Sequence, residues 1–331
     1  RPTLVVNRHS HAMPDNTPFF IVGAGRSGTT LLRLILAGHS RLHIPPETQY
    51  IVPLVQTLPL TGQLNPAQIA QALAIMVENY RWPDLGIPPD DLQRQACGIQ
   101  NPRLVDIIDI VYQTHLLRAR KTRFGDKTPV YIDIIPQLSV LYPGAKFIHL
   151  IRDGRDVAIS RIDVGWERYY ERSKFEWTHA MAKRREHTNQ PIAGQILEVR
   201  YEDLVRDLRS TVQRVCSFLT EDFEPAMLDW RPLIDLVPER ERHIHGRLAR
   251  PVSRDDVAVW QRRLSAPECF AIEACLYRDL EELGYQLKFS KPAWRPFLQV
   301  TGALMHATAP LLQRSAAALK RRKLLPRHIV I

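Results

Sequence analysis

The chain has 331 residues, 45% of them hydrophobic, and a formal net charge of +10 at pH 7. That is enough apolar material for a large core and argues against disorder, while no run of 18 apolar residues marks a membrane span and no signal peptide is visible. The charge sits at one end: Leu283 to Ile331 hold nine Lys or Arg and no Asp or Glu, so the body before them is nearly neutral and does not read as a nucleic-acid binder. Cys97, Cys216, Cys269 and Cys275 form no CxxC and have no His at metal spacing. They read as free buried thiols in a reducing, cytoplasmic compartment rather than as a disulfide framework or a metal site.

Residues 1–17 are polar and proline-punctuated, a flexible lead-in to an α/β domain over 18–290. Phe19 to Val22 is an apolar run too short for a helix; a glycine-rich turn follows, and then apolar residues at helical spacing to Leu36, which together read as strand, loop and helix. Gly23, Gly25 and Gly28 let successive backbone N–H groups curl around an anion at a helix N-terminus, and Arg26, Ser27, Thr29 and Thr30 add a charge and three hydroxyls. The pattern is GxxxxG followed by Thr-Thr, a P-loop with Thr29 where nucleotide hydrolases carry lysine.

Leu42 to Ile44 is a short strand candidate, and Pro45-Pro46 stiffens the chain before Glu47-Thr48. Glu47 reads either as a general base at the carboxyl end of a parallel strand or as a first-turn carboxylate complementing a helix dipole. A base working near neutral pH is expected to have its carboxyl pKa pushed up. A helical insertion covers about 51–117, broken at Asn65-Pro66 and Trp82-Pro83, with core stripes at Ile69, Leu73, Met76 and Val77 and at Leu104, Ile107, Ile108 and Val111. Lys127, before Thr128-Pro129, either reaches a phosphate or is an exposed lysine paired with Asp126.

Lys146 to Ile151 reads as a buried parallel strand ending at Arg152; Asp153-Gly154 turns the chain into a helix that carries Ser160 about two turns along, toward the same pocket. Arg155 and Asp156 suit a local ion pair or cap, Trp177 and Met181 a core stripe, and Trp166 with Tyr169 an acceptor or adenine wall. Gln195 to Arg200 reads as another buried strand, leading to the corner at Tyr201-Glu202-Asp203-Leu204. Helices at 206–219 and 267–283 flank a loop, Pro238 to Arg254, rich in arginine and carrying His243 and His245 without a third metal ligand. The extension over 291–331 alternates apolar residues and ends in Lys320-Arg321-Arg322-Lys323. That suits an anionic membrane surface on the cytoplasmic side, packing against a second subunit, or a disordered tail.

Ala24-Gly25-Arg26-Ser27-Gly28-Thr29-Thr30-Leu31-Leu32 resembles the 5′-phosphosulfate loop of sulfotransferases that use 3′-phosphoadenosine 5′-phosphosulfate (PAPS). Arg26 matches the arginine of their tyrosylprotein and carbohydrate branches. The segment from Arg152 to Ser160 resembles the family's 3′-phosphate-binding segment, about 125 residues later and in the right order. The resemblance implies a P-loop-like parallel sheet flanked by helices. It also implies PAPS as co-substrate without a metal, and a hydroxyl-bearing acceptor. By residue it implies Glu47 as base, with Arg26 and Lys127 on the transferring group. Gly25, Arg26, Ser27, Gly28, Thr29, Thr30, Arg152, Ser160, Tyr201 and Arg250 would hold the nucleotide. A magnesium-dependent P-loop kinase and a non-catalytic membrane-surface adaptor stand as alternatives.

Overall fold

The computed structural model describes residues 16–167 and 170–289, with the side chains of 170–174 left aside. Most of the lead-in, Tyr169, and the basic extension over 291–331 therefore lie outside the described residues. The chain divides into two compact units, the first ending at Arg262 and the second beginning at Arg263.

The first unit is built on five parallel strands: β1 (Phe19–Gly23), β2 (Leu42–His43), β3 (Arg123–Lys127), β4 (Lys146–Ile151) and β5 (Ile196–Arg200), in the order β2-β3-β1-β4-β5. Every residue of β1 is buried, as expected of a central parallel strand covered on both faces. Phe19 aligns with Gly125 on one side and Lys146 on the other, and Gly23 aligns with Leu150. From β1 the chain moves to the β2–β3 side, and β4 and β5 then extend the sheet on the other side. The crevice beyond the carboxyl end of β1 is therefore the switch point where open α/β sheets receive ligands.

Two strands depart from the sequence reading. β3 carries Arg-Phe-Gly-Asp-Lys, no apolar run, yet all five residues are buried. Arg123 is fully enclosed because its guanidinium donates to the carbonyls of Thr17 and Leu219 and to Glu221. Gly125 is small because the Phe19 ring fills the space that a Cβ would need. β5, expected to be buried, is an edge strand with only Val199 fully covered.

The helix Thr29–Ala37 after β1 is buried along its whole length, including Arg33, whose guanidinium donates to the carbonyls of Ile44 and Leu236. The insertion holds the helices Ile51–Thr57, Pro66–Val77, Pro89–Cys97 and Leu104–Ala119. Asn65 and Gln68 form a capping box that starts the second of these. The stripe on Leu104–Ala119 is buried as read. On Pro66–Val77, however, only Ala72 and Met76 are buried, so Ile69, Leu73 and Val77 are half-covered rather than core. Asp153 caps the helix Gly154–Asp163 and pairs with Arg155, while Asp156 accepts from the Trp260 N–H. Trp177 and Met181, on the helix Tyr170–Thr188, are buried as expected. Of the four thiols, Cys216 and Cys269 are buried, Cys275 is half-buried and Cys97 is exposed, which corrects the reading of four buried cysteines.

In the second unit the helix Ala266–Glu282 opens with a Ser265–Glu268 capping box. The enclosed Glu273 accepts from the N–H groups of Lys288 and Phe289 and so folds the following segment back. No described helix is long and apolar enough to cross a membrane.

Candidate functional site

The turn after β1 is an anion cradle by its backbone. Gly23, Arg26 and Gly28 have φ of 141°, 72° and 95°, so the chain reverses through conformations that glycine tolerates and that cost Arg26 strain. Among the described residues the N–H groups of Arg26, Gly28, Thr29 and Thr30 meet no acceptor, and the buried Ser27 hydroxyl has no partner. A Cβ at Gly28 would lie 2.5 Å from the Tyr201 ring, and one at Gly25 would lie 2.7 Å from the Glu176 carboxylate. That carboxylate accepts from the Gly25 N–H at 2.6 Å and pairs with Arg161, so a side-chain anion occupies the turn.

A second basic corner lies at the tip of β4, the strand next to β1. Arg152, just past the strand, stacks on Tyr201 with 4.3 Å from its guanidinium carbon to the ring centroid. It donates to the carbonyls of Arg26 (3.2 Å) and Asp256 (3.0 Å). Its buried Nε has no partner among the described residues. Ser160, two turns along the following helix, accepts from Arg26 Nε at 3.2 Å. Arg250 is half-exposed and ion-paired with Asp256 at 2.6 Å. Arg26 is enclosed beside Arg152, Arg247 and Arg161; burial first, and then these cations, lower its pKa to about 10, which leaves it charged at neutral pH.

Glu47 stands at the head of the cleft. The loop carrying it is pinned to β3: the Thr48 hydroxyl donates to Asp126 at 2.7 Å and meets the Tyr131 hydroxyl, and Tyr112 also donates to Asp126 at 2.7 Å. Glu47 Oε1 pairs with Lys127 Nζ, while Oε2 accepts from Arg81 (3.1 Å) and Gln49 (2.8 Å). Lys127 is 3% exposed and also donates to the Thr30 hydroxyl at 3.3 Å, so it is not the exposed partner of Asp126. Burial alone would raise the Glu47 pKa, but Lys127 and Arg81 outweigh it and draw the carboxyl down to about 2. This reverses the expectation of a raised pKa. In the free chain Glu47 is an ionised and weakly basic carboxylate.

These elements open into one cleft of about 290 Å³. Every residue expected to hold the nucleotide or act on the transferring group lines it except Ser27, which is buried. The residues that sequence reasoning missed are Arg81, Glu176 and Asp256. Each reaches the cleft through a contact between distant parts of the chain, and no local pattern announces it. His245, read from the sequence as part of the basic loop Pro238 to Arg254, also lines the cleft. Burial and the neighbouring Arg26 and Lys127 lower its pKa to about 3, so it is neutral. Of the flanking aromatics, Trp166 lines the cleft with Arg26 5.4 Å from its ring, whereas Trp177 is core and donates to the Arg152 carbonyl. Among the described residues no cluster of His, Cys, Asp and Glu has the makings of a metal site.

A parallel α/β sheet with a glycine-rich turn and a basic strand tip on one cleft is an arrangement suited to anionic ligands at strand ends. The profile of the Sulfotransferase family matches residues 18–225, and the chain belongs to that family. It is similar to a putative protein-tyrosine sulfotransferase of Caenorhabditis briggsae, 25% identical over 84% of this chain and 92% of that protein. It is also similar to an uncharacterized protein of Aquifex aeolicus, 25% identical over 69% of this chain, which spans only 29% of that protein's length. Among solved structures, the sulfotransferase domain of the Synechococcus PCC 7002 olefin synthase superposes with a TM-score of 0.62 at 25% identity, covering 84% of this chain and 98% of that domain. The sulfotransferase domain from the curacin biosynthetic pathway shares the fold, with a TM-score of 0.56 at 22% identity over 83% of this chain and all of that domain.

Proposed function

We propose that the chain transfers a sulfuryl group from PAPS to an acceptor hydroxyl, giving 3′,5′-ADP and a sulfate ester. The observation that carries this reading is the meeting, in one cleft, of two anion-binding corners and an ionised carboxylate beside a buried lysine. The corner at Arg152 and Ser160 suits the 3′-phosphate, and the turn from Gly25 to Thr30 suits the 5′-phosphosulfate.

Lys127 links the two halves of the reaction. In the free chain it neutralises Glu47; with the donor's sulfonate in place it turns to that anion, and Glu47 Oε1 loses the partner that most depresses its basicity. Glu47 then takes the acceptor proton as the new oxygen–sulfur bond forms. The bond from sulfur to the phosphate oxygen breaks, and Arg26, Lys127 and the turn's N–H groups hold the charge left on that oxygen. The Glu176 carboxylate leaves the Gly25 N–H when the donor enters, because two anions do not share one cradle.

The test is incubation with labelled PAPS and an extract of the host, followed by identification of what becomes sulfated. Transfer by the parent, with none by Glu47→Ala and 3′,5′-ADP affinity retained, supports the reading. No preference for 3′,5′-ADP over 5′-AMP, and no labelled product, overturns it.

A further inference from the structure

We infer that Arg81 is a positioning residue for Glu47, fixing the carboxylate from the side away from the transferring group and tying its placement to the 239–249 segment. The inference rests on Glu47 being the base.

The division of labour on the carboxylate is visible in its partners. Oε1 faces Lys127 and the turn after β1, where the reaction takes place. Oε2 is held by Arg81 and Gln49, and Gln49 is itself held by the Tyr80 hydroxyl at 2.7 Å. When Lys127 turns to an incoming sulfonate, Arg81 is the cation that stays. Glu47 would then keep its place and its ionised state without losing Oε1 to a competing partner.

Arg81 is equipped to stay. It is buried, and its backbone N–H is anchored on the Asn79 side chain at 2.9 Å; the next residue, Trp82, is buried against Tyr50, with ring centroids 6.2 Å apart. Its guanidinium fork is divided: Nη2 goes to Glu47, and Nη1 goes to Glu241 with Asp84 at 3.6 Å. A planar fork gripped at both tips keeps one orientation, which a lysine's single ammonium cannot do.

Glu241 belongs to the short helix Glu239–Arg242, and a second strut from that helix, Arg240 to Asp84, also reaches the residues around Arg81. Three residues further on, the Ile244 carbonyl accepts from Arg26 Nη2 at 2.9 Å. The same stretch of chain thus steadies Arg26 directly and Glu47 through Arg81. Closing that stretch would align the proton acceptor and the charge-stabilising arginine together.

The experiment compares Arg81→Met, Arg81→Lys and Glu241→Gln with a parent first shown to bind 3′,5′-ADP and to transfer label from PAPS. A parent that does neither overturns the functional reading and this inference with it. For Arg81→Met the expected result is a fall in kcat of about 10- to 100-fold with 3′,5′-ADP affinity kept within about twofold. The acid limb of the kcat profile should move up by about one pH unit or more, because a cation that favours the ionised carboxylate is gone. Added guanidinium should restore part of the rate. Arg81→Lys should recover less than half of the loss, and Glu241→Gln should lose about 3- to 10-fold in kcat alone. An unmoved acid limb in Arg81→Met, or nucleotide affinity falling in step with kcat in all three variants, overturns the inference in favour of a merely structural role.

Discussion

Replacing Glu47 by Gln should reveal how much the folded chain gains from this carboxylate, and at which pH. The carboxyl pKa falls from an ordinary 4.5 to about 2 on folding. At roughly 1.4 kcal/mol per tenfold change in proton affinity, that corresponds to about 3 kcal/mol of stability at neutral pH. The side chain is 11% exposed, so solvent screening removes little of it. Because the folded chain binds the proton more weakly than the unfolded one, the contribution is complete above about pH 5.5, the region where both states are ionised. It declines as pH falls through 4.5 and is nearly gone at about 2. Glu47→Gln preserves shape but removes the charge. Arg81 keeps Glu241 and Asp84, so the cation stranded is Lys127. Urea unfolding of the parent and Glu47→Gln should therefore differ by about 3 kcal/mol at pH 7.5 and by less than half of that at pH 3. A gap that is the same at both pH values, or absent at pH 7.5, would refute the claim that Lys127 and Arg81 dominate the carboxyl's surroundings.

Three further outcomes follow from named contacts. Arg152→Ala should weaken 3′,5′-ADP binding by about 100-fold and leave 5′-AMP within about threefold, measured by calorimetry; equal losses for both would remove Arg152 from the 3′ corner. Gly28→Ala meets the Tyr201 ring at 2.5 Å in a backbone with φ of 95°. It should lower stability by about 2–4 kcal/mol in urea and, by shifting the ring beneath Arg152, also weaken 3′,5′-ADP binding. Glu176→Gln should tighten 3′,5′-ADP binding by about 5- to 10-fold, because a neutral amide no longer repels the phosphate from the Gly25 N–H; unchanged affinity would place the nucleotide clear of that N–H.

What was legible in the sequence was what neighbouring residues decide among themselves. The turn from Gly23 to Thr30 favours glycine at Gly23 and Gly28 by its backbone alone, and the strand tip at Arg152 with Ser160 two turns later is a matter of local geometry. β3 was not legible as a strand because its buried charges are satisfied by partners far along the chain, such as Glu221 for Arg123, so no apolar run marks it. The state of Glu47 was misread for the same reason. Its pKa is set by Lys127 and by Arg81, which reaches it from the helical insertion, and no residue within the Pro45-Pro46-Glu47 stretch foretells either. β5 looked like a central strand because apolar composition does not distinguish an edge position from an inner one.

Two of the arginines that face the cleft already donate to main-chain oxygens of the segment beyond Arg242, Arg26 to Ile244 and Arg152 to Asp256. At these two side chains a bound dianion would exchange bonds, whereas at the unpartnered Arg152 Nε it would add one. Part of the heat of such docking would then be that of a swap, with the displaced carbonyls turning to water. Affinity in such a cleft would owe as much to how readily that segment rehydrates as to the strength of any single contact with phosphate.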